Sequence, residues 1–164
     1  MARPRKSPLA AVVQGLIAGA VGTAALTAYQ IATGKTEESE DPKDWSETPA
    51  PAQVGKRVAE GVFEQDVPLE KAGTVTQLVH WLYGTSWGAL YGLIEESLRK
   101  PAVSGLALTS AVMANDYTML PAMNLYKPPW RYPPKALAGD FGMHLVYGYA
   151  TAAAYRLLEP AFAR

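Results

Sequence analysis

Two histidines, His80 and His144, are the only imidazoles in this chain of 164 residues, and each one begins an apolar segment. The first segment reads HWLYGTSWGALYGLIE and the second reads HLVYGYATAAAYRLLE. Aligned without gaps at an offset of 64 residues, they share the histidine, the Tyr-Gly pair that follows it, a second tyrosine and the final glutamate. This pattern predicts that the two histidines occupy equivalent positions in a repeated element.

Acidic and amide residues supply candidate partners for these histidines. Asp116 is the only charged residue between positions 101 and 126, and Asn115 precedes it. Asp140 is the only charged residue between positions 136 and 155. If these segments are helices that cross a bilayer, the two histidines, Asn115 and the two aspartates fall near one level. We therefore expect them to converge, with the two histidines close together and Asp116 beside them.

Three kinds of chemistry fit such a cluster. It could relay protons or respond to pH, because histidine titrates near neutrality. His80, His144 and Asp116 could bind a divalent metal ion through two imidazoles and a carboxylate. The two imidazoles could also hold a b-type haem between facing helices. In the structural alternative, His80 and His144 hydrogen-bond to Asp116, Asn115 or tyrosine hydroxyls and lock the helices together. The sequence leaves all four interpretations open.

Other chemistry is excluded by what the sequence lacks. The chain has no cysteine, which excludes disulfides, thiolate metal sites, iron–sulfur clusters and c-type haem attachment. It contains no Gly-rich phosphate loop, nucleophile elbow or HExxH motif, and no nucleophile–base pair is visible, so an enzyme is not predicted. No basic stripe indicates a nucleic-acid partner.

The elements that must position the cluster are long apolar runs. The formal net charge is zero, but the charges are segregated between the runs. Crossing a bilayer core takes about 20 apolar residues of helix, and each run meets this length. We predict one all-α domain, a polytopic bundle of four transmembrane helices surrounded by lipid. The expected spans lie near residues 9–32, 73–96, 102–120 and 137–158. The first run is expected to be a retained helix rather than a cleaved signal peptide.

The histidine repeat extends to a prediction of topology. VQGL at 13–16 resembles VSGL at 103–106, which suggests two parallel helical-hairpin repeats, the first interrupted by a long loop. Small residues at four-residue spacing let helices approach closely in lipid. We expect helix packing through glycines at the following positions: Gly15, Gly19, Gly84, Gly88, Gly92 and Gly148. His80 is one turn from Gly84, so the histidines should face the interior of the bundle.

Residues 35–71 form the long loop, which is acidic and is expected to be extracytoplasmic. Its first part, KTEESEDPKDWSETPAP, is expected to be extended or disordered. In its second part, Val54, Val58 and Val62 recur at four-residue spacing, which predicts a short amphipathic helix on the membrane surface or over the mouth of the bundle.

Basic residues at the chain ends and in the short turn predict orientation. They are Arg3, Arg5, Lys6, Arg99, Lys100, Arg156 and Arg164. Positive charge favours the cytoplasmic side, so both termini are expected to be cytoplasmic in a multi-pass protein of the cell inner membrane. Glu95, Glu96 and Glu159 should then lie solvated at the inner rim, and no second polar layer is expected inside the bundle.

Several of these motifs together resemble the YagU-like bacterial inner-membrane proteins. The resemblance is carried by GLIAGAVGTA in the first run, HWLYGTSWGALYG in the second, the Leu-Pro pair at 120–121, and GDFGMHLVYG entering the fourth. It implies a small polytopic bacterial membrane protein. The role of that family is not established, so the resemblance assigns no functional residue.

Two classes of function fit the sequence. The first is a channel-like or transport-related protein whose His/Asp cluster handles protons or small cations. The second is a non-catalytic accessory subunit that packs its glycine faces against larger membrane partners or against another copy of the chain. A polar cavity that reaches His80 and Asp116 would favour the first. A solid bundle whose glycines face outward would favour the second.

Overall fold

The computed structural model describes residues 6–35, 42–98 and 100–162, and it contains helices and no strand over these residues. The all-α fold class is thereby confirmed. Three short 3-10 helices lie between the longer elements. The five α-helices, in chain order, are α1 (Pro8–Thr33), α2 (Ala50–Phe63), α3 (Ala72–Leu98), α4 (Pro101–Ala122) and α5 (Pro134–Phe162). Helices α1, α3, α4 and α5 include the four predicted apolar spans.

Capping residues and prolines set the limits of α1 and α4. The Ser7 hydroxyl accepts a hydrogen bond of 3.2 Å from the Ala10 backbone N–H, and Pro8 follows at the first helical position. Gly34 ends α1 in the left-handed conformation, with φ of 65°. Pro101 begins α4 directly after the short turn from α3. Both helices therefore begin with proline. Proline lacks a backbone N–H, and the first helical position needs none because it has no intrahelical acceptor.

Helix α1 packs along both α3 and α5, and α4 packs along α5. The closest approach, between α1 and α3, is made by glycines. A methyl group on Gly19 would lie 2.7 Å from the Gly88 Cα, and one on Gly92 would overlap the Ala11 carbonyl oxygen. On the other side of the bundle, a methyl group on Gly148 would lie 2.6 Å from the Gly105 carbonyl oxygen. The glycines marked by the sequence thus face other helices inside the bundle.

The described part of the loop segment expected to be extended or disordered, residues 42–51, contains regular structure. Residues 36–41, part of the segment expected to be extended or disordered, lie outside the described residues. The segment that follows contains a short 3-10 helix, Trp45–Glu47, because the Asp44 carboxylate accepts a 2.7 Å hydrogen bond from the Ser46 N–H. The same bond and the Ser46 hydroxyl hold the pKa of Asp44 below its usual value.

Helix α2 occupies the segment predicted to be an amphipathic helix, and it crosses one end of the bundle. Gly55 faces Val75 and Val79 of α3. On the other side, the Arg57 guanidinium donates a 2.7 Å hydrogen bond to the Met123 carbonyl oxygen, just after α4. The helix is thus fixed at two places over the space between α3 and α4.

Among the described helices, α1 is the one whose length and apolar composition suffice for crossing a membrane, and this criterion is also met by signal sequences and by core helices of soluble proteins. The other three long helices contain many Gly, Tyr, Thr and Ser residues, which lower their mean hydropathy. The prediction of four spans therefore rests on the distribution of exposed apolar and buried polar side chains rather than on mean hydropathy.

Candidate functional site

A cavity of about 280 Å³ lies between α1, α3, α4 and α5 at the end of the bundle that α2 covers. Side chains from all five helices line it, and α2 contributes Ala50, Pro51 and Val54. The five polar residues expected to converge all border this one cavity. They are His80, Asn115, Asp116, Asp140 and His144.

Asp116 is held by a chain of two hydrogen bonds between α4 and α3. The Tyr83 hydroxyl donates a 2.5 Å hydrogen bond to Asp116 Oδ1, and Asn115 Nδ2 donates a 2.8 Å hydrogen bond to the Tyr83 oxygen. Since Asn115 and Asp116 are adjacent in sequence, one tyrosine bridges both. Asp116 Oδ2 is left facing the imidazole of His144, with 3.8 Å between Oδ2 and Nε2.

His144 lies between two carboxyl groups. Its Nδ1 is 3.2 Å from Asp140 Oδ1 and 3.0 Å from the Asp140 carbonyl oxygen. Since a carbonyl oxygen only accepts, Nδ1 carries the proton of that contact. In the neutral imidazole, Nε2 is therefore an unprotonated acceptor directed toward Asp116. Asp140 is itself fixed by Tyr117, whose hydroxyl donates a 2.8 Å hydrogen bond to Oδ2.

His80 has a different environment from His144, although the repeat predicts equivalent positions. Its Nε2 lies 3.2 Å from the Thr27 hydroxyl of α1. Within the described residues His80 contacts neither aspartate, whereas His144 contacts both. The two histidines share a cavity but have different partners, and only His144 is positioned to pair with a carboxylate.

The predicted metal site finds no support in this geometry. In the part of the chain that the structure describes, no group of three His, Cys, Asp or Glu side chains is arranged to hold a metal ion. Of the predicted ligand set, His144 lies beside Asp116, whereas His80 Nε2 faces the Thr27 hydroxyl of α1. The b-type haem interpretation stays a prediction.

Sequence reasoning considered tyrosine hydroxyls as partners of the histidines and missed them as partners of the aspartates. Tyr83 and Tyr117 each donate to one aspartate, and the Tyr147 hydroxyl donates a 2.5 Å hydrogen bond to the Gly84 carbonyl oxygen. Tyr83 and Tyr147 are visible as matched positions of the repeat, three residues after each histidine, and this spacing places them on the histidine face. Tyr117 has no comparable signal in the sequence.

A second buried polar cluster lies at the opposite end of the bundle, and here the sequence-based expectation was wrong. Glu95, expected to be solvated, is 2% exposed, and Gln14 and Ser104 are fully buried. The Ser104 hydroxyl donates a 2.5 Å hydrogen bond to Glu95 Oε2, while Glu95 Oε1 meets no hydrogen-bonding group of the described chain. The bundle thus holds two polar layers.

Lys6 completes this second cluster from the start of the described chain. Its Nζ donates a 2.7 Å hydrogen bond to Gln14 Oε1 and lies 3.6 Å from Glu96 Oε1. It also lies 4.6 Å from the centre of the Tyr155 ring, within range of a cation–π contact. The cluster therefore combines a buried carboxyl group with a cation at the end of the bundle where α1 begins and α3 ends.

Comparisons with protein-family models, with curated proteins and with solved structures gave no match to this chain.

Proposed function

We propose that the chain is a multi-pass membrane protein, with α1, α3, α4 and α5 crossing the bilayer, and that it binds and transfers cations or protons through the His/Asp cavity. The observation that carries the functional part is the cavity itself, which brings both aspartates and both histidines to one internal surface. Ionisable groups inside a membrane bundle are costly to maintain and mark ion or substrate pathways.

The distribution of polarity supports the membrane placement. Large apolar side chains are exposed on all four long helices, among them Val21, Leu78, Leu82, Leu90, Val103, Leu106 and Leu157. Polar side chains such as Gln14, Thr109 and Thr151 are fully buried. A soluble bundle has the opposite pattern, with polar residues on the outer faces of its helices. A lipid environment accounts for both halves of this observation.

The second polar cluster supports a route along the bundle. At about 1.5 Å of rise per residue, His80 and Glu95 are roughly 22 Å apart along α3. Buried hydroxyl groups of Thr23, Thr109 and Thr151 occur at intermediate positions on α1, α4 and α5. Hydroxyl groups can both donate and accept hydrogen bonds, which suits the transfer of protons between two polar layers.

The same arrangement supports the predicted orientation. Lys6 lies beside Glu96, so α1 begins where α3 ends, and the turn containing Lys100 lies at that end. With positive charges cytoplasmic, both termini are cytoplasmic and α2 is on the outer side. Arg3, Arg5, Arg99 and Arg164 lie outside the described residues. The resemblance to YagU-like proteins fits a bacterial inner-membrane location, and the two-hairpin repeat remains part of this proposal.

The accessory-subunit alternative is less well supported. It requires glycine faces that are free to pack against a partner, whereas the glycines predicted for helix packing already contact neighbouring helices: Gly15, Gly19, Gly84, Gly88, Gly92 and Gly148. The exposed surface consists instead of large aliphatic side chains, which suit lipid.

The test is a flux measurement with purified full-length protein in liposomes. Proton and alkali-cation fluxes should exceed those of protein-free vesicles. Asp116→Asn, which keeps the shape and removes the charge, should return the flux to the protein-free level. The matched control is Asp66→Asn, which changes an exposed carboxylate in the loop before α3 and should leave the flux unchanged. Equal flux in wild-type and protein-free vesicles would contradict the proposal.

A further inference from the structure

We infer that the cavity binds a small organic ammonium ion with an apolar body, anchored between Asp116 Oδ2 and His144 Nε2. The inference rests on the proposed function in one respect, that the site takes cations, and it specifies which class of cation fits.

The charge of the lining excludes anions. Asp116 and Asp140 contribute two carboxyl groups, and no Lys or Arg is among the described residues that line the cavity. With both carboxyl groups ionised, the lining is negative overall even when His144 carries a second proton. An anion would meet repulsion without a compensating donor, whereas a cation would be attracted.

The anchor consists of two acceptor atoms at a suitable spacing. Asp116 Oδ1 is occupied by the Tyr83 hydroxyl, and both oxygens of Asp140 face partners, His144 and Tyr117. Asp116 Oδ2 faces His144 Nε2, and their separation of 3.8 Å is too long for a direct hydrogen bond. In the neutral imidazole with Nδ1 protonated, Nε2 is also an acceptor. A primary ammonium group has enough N–H donors to bind both atoms at once.

The remaining walls suit an apolar body rather than a hydrated metal ion. Trp87 packs edge-to-face on Tyr83, with 6.0 Å between ring centres, and aromatic faces attract ammonium ions. Three methionines of the lining, Met119, Met123 and Met143, provide flexible apolar contacts. Inorganic cations such as calcium take about 6–8 oxygen ligands, and the described residues contain no group of three His, Cys, Asp or Glu side chains that could hold a metal ion.

The dimensions limit the size of the ligand. The cavity volume of about 280 Å³ lies just below the usual range for small-molecule sites, roughly 300–1,000 Å³. One aromatic ring or a short alkyl chain fits such a volume beside the ammonium group. The side chains of α2 over the opening, Ala50, Pro51 and Val54, are short and carry no charge, so they leave this space apolar.

Calorimetric titration of the purified full-length protein with three probes of matched shape tests this inference. The probes are phenethylammonium, the neutral 2-phenylethanol and the anionic 3-phenylpropionate. Phenethylammonium should bind about tenfold more tightly than the alcohol, and the anion should not bind. A charge-assisted hydrogen bond is about twice as strong as a neutral one, and a difference of that size corresponds to roughly a tenfold change in dissociation constant. Asp116→Asn should remove the preference for the ammonium ion and keep binding of the alcohol, while Asp66→Asn should change neither.

The three-probe comparison uses the unaltered protein. It therefore still decides the inference if Asp116→Asn fails to fold. Equal affinity for the ammonium ion and the alcohol, or no binding of the ammonium ion, would overturn it. Cation flux without ammonium binding would overturn this inference and leave the proposed function standing. Ammonium binding in a protein that shows no flux would overturn the proposed transfer of cations and leave this inference standing.

Discussion

Tyr83 on α3 donates a 2.5 Å hydrogen bond to Asp116 on α4, and this contact connects the two histidine-bearing halves of the chain at the level of the cavity. The tyrosine oxygen also accepts from Asn115, so one hydroxyl group fixes both polar residues of α4. The carboxylate that defines the cavity is therefore oriented from a neighbouring helix and not by its own.

The first prediction concerns this hydroxyl group. Tyr83→Phe leaves Asp116 Oδ1 and Asn115 Nδ2 without their partner in a half-buried site. The free energy of unfolding should fall by about 1–3 kcal/mol, the usual cost of an unsatisfied buried polar group. Unfolding in sodium dodecyl sulfate, followed by circular dichroism, measures it. Tyr149→Phe is the matched control because Tyr149 is 44% exposed. Equal stability of the two variants would contradict the role assigned to Tyr83.

The second prediction concerns the contact between α1 and α3. In Gly88→Ala the new methyl group would collide with the backbone of Gly15 and Gly19. Because neither backbone can move without separating the helices, the free energy of unfolding should fall by about 1–3 kcal/mol.

Gly139→Ala in α5 is the control for that experiment, since nothing lies within 4 Å of its added methyl group. This variant should be neutral or gain up to about 1 kcal/mol from the higher helix propensity of alanine. If both alanines had the same effect, helix propensity rather than close packing would explain the glycines.

The third prediction addresses the second polar layer. Ser104→Ala removes the shorter of two hydrogen bonds to Glu95 Oε2 and leaves the longer one, 3.4 Å from the Tyr91 hydroxyl. The other carboxyl oxygen already lacks a partner among the described residues. We expect a loss of about 1–3 kcal/mol in the free energy of unfolding. Ser97→Ala, at an exposed position two residues beyond Glu95, should be close to neutral. A neutral Ser104→Ala would show that Glu95 does not depend on this hydrogen bond.

The helices and the polar contacts differ in how far the sequence predicts them. The long helices follow from apolar runs between charged segments, and α2 follows from the spacing of Val54, Val58 and Val62. Such patterns are local, because they reflect which face of a single helix is apolar. The convergence of Asp116, Asp140 and His144 could be anticipated since all three lie at one level of their helices.

Contacts that depend on the rotation of one helix against another were not foreseen. Glu95 lies near a helix end, where a solvated side chain is the ordinary expectation, but its orientation toward Ser104 of α4 buries it. His80 and His144 match in sequence, yet they have different partners because α1 provides Thr27 near one and α4 provides Asp116 near the other. No periodicity within a single helix encodes these pairings.

The fourth prediction concerns the position of α2 over the cavity. The chain has no cysteine, so single cysteines can be introduced and labelled without background. Val54→Cys, in the cavity wall, should react slowly with a bulky water-soluble maleimide, and Val62→Cys, at a position that is 69% exposed, should react quickly. Adding Arg57→Ala to Val54→Cys removes the hydrogen bond to the Met123 carbonyl and should speed its reaction.

The control for the added substitution is Val62→Cys combined with Arg57→Ala, whose labelling rate should stay at that of Val62→Cys alone. Equal labelling of Val54→Cys and Val62→Cys in the otherwise unaltered chain would show that α2 does not cover the cavity in solution.

The last prediction concerns orientation. Lys6 pairs with Glu96 at the end of the bundle opposite α2. If the bundle spans a membrane, the start of α1 and helix α2 must therefore lie on different sides of it. In intact bacterial cells, an impermeant maleimide should label Glu70→Cys, exposed just before α3, and a C-terminal alkaline phosphatase fusion should be inactive. Labelling of Glu70→Cys only after the cells are opened, or an active phosphatase fusion, would reverse or eliminate the proposed topology. The same fusion in a chain ending after α1 should be active, because a single crossing would leave the reporter outside.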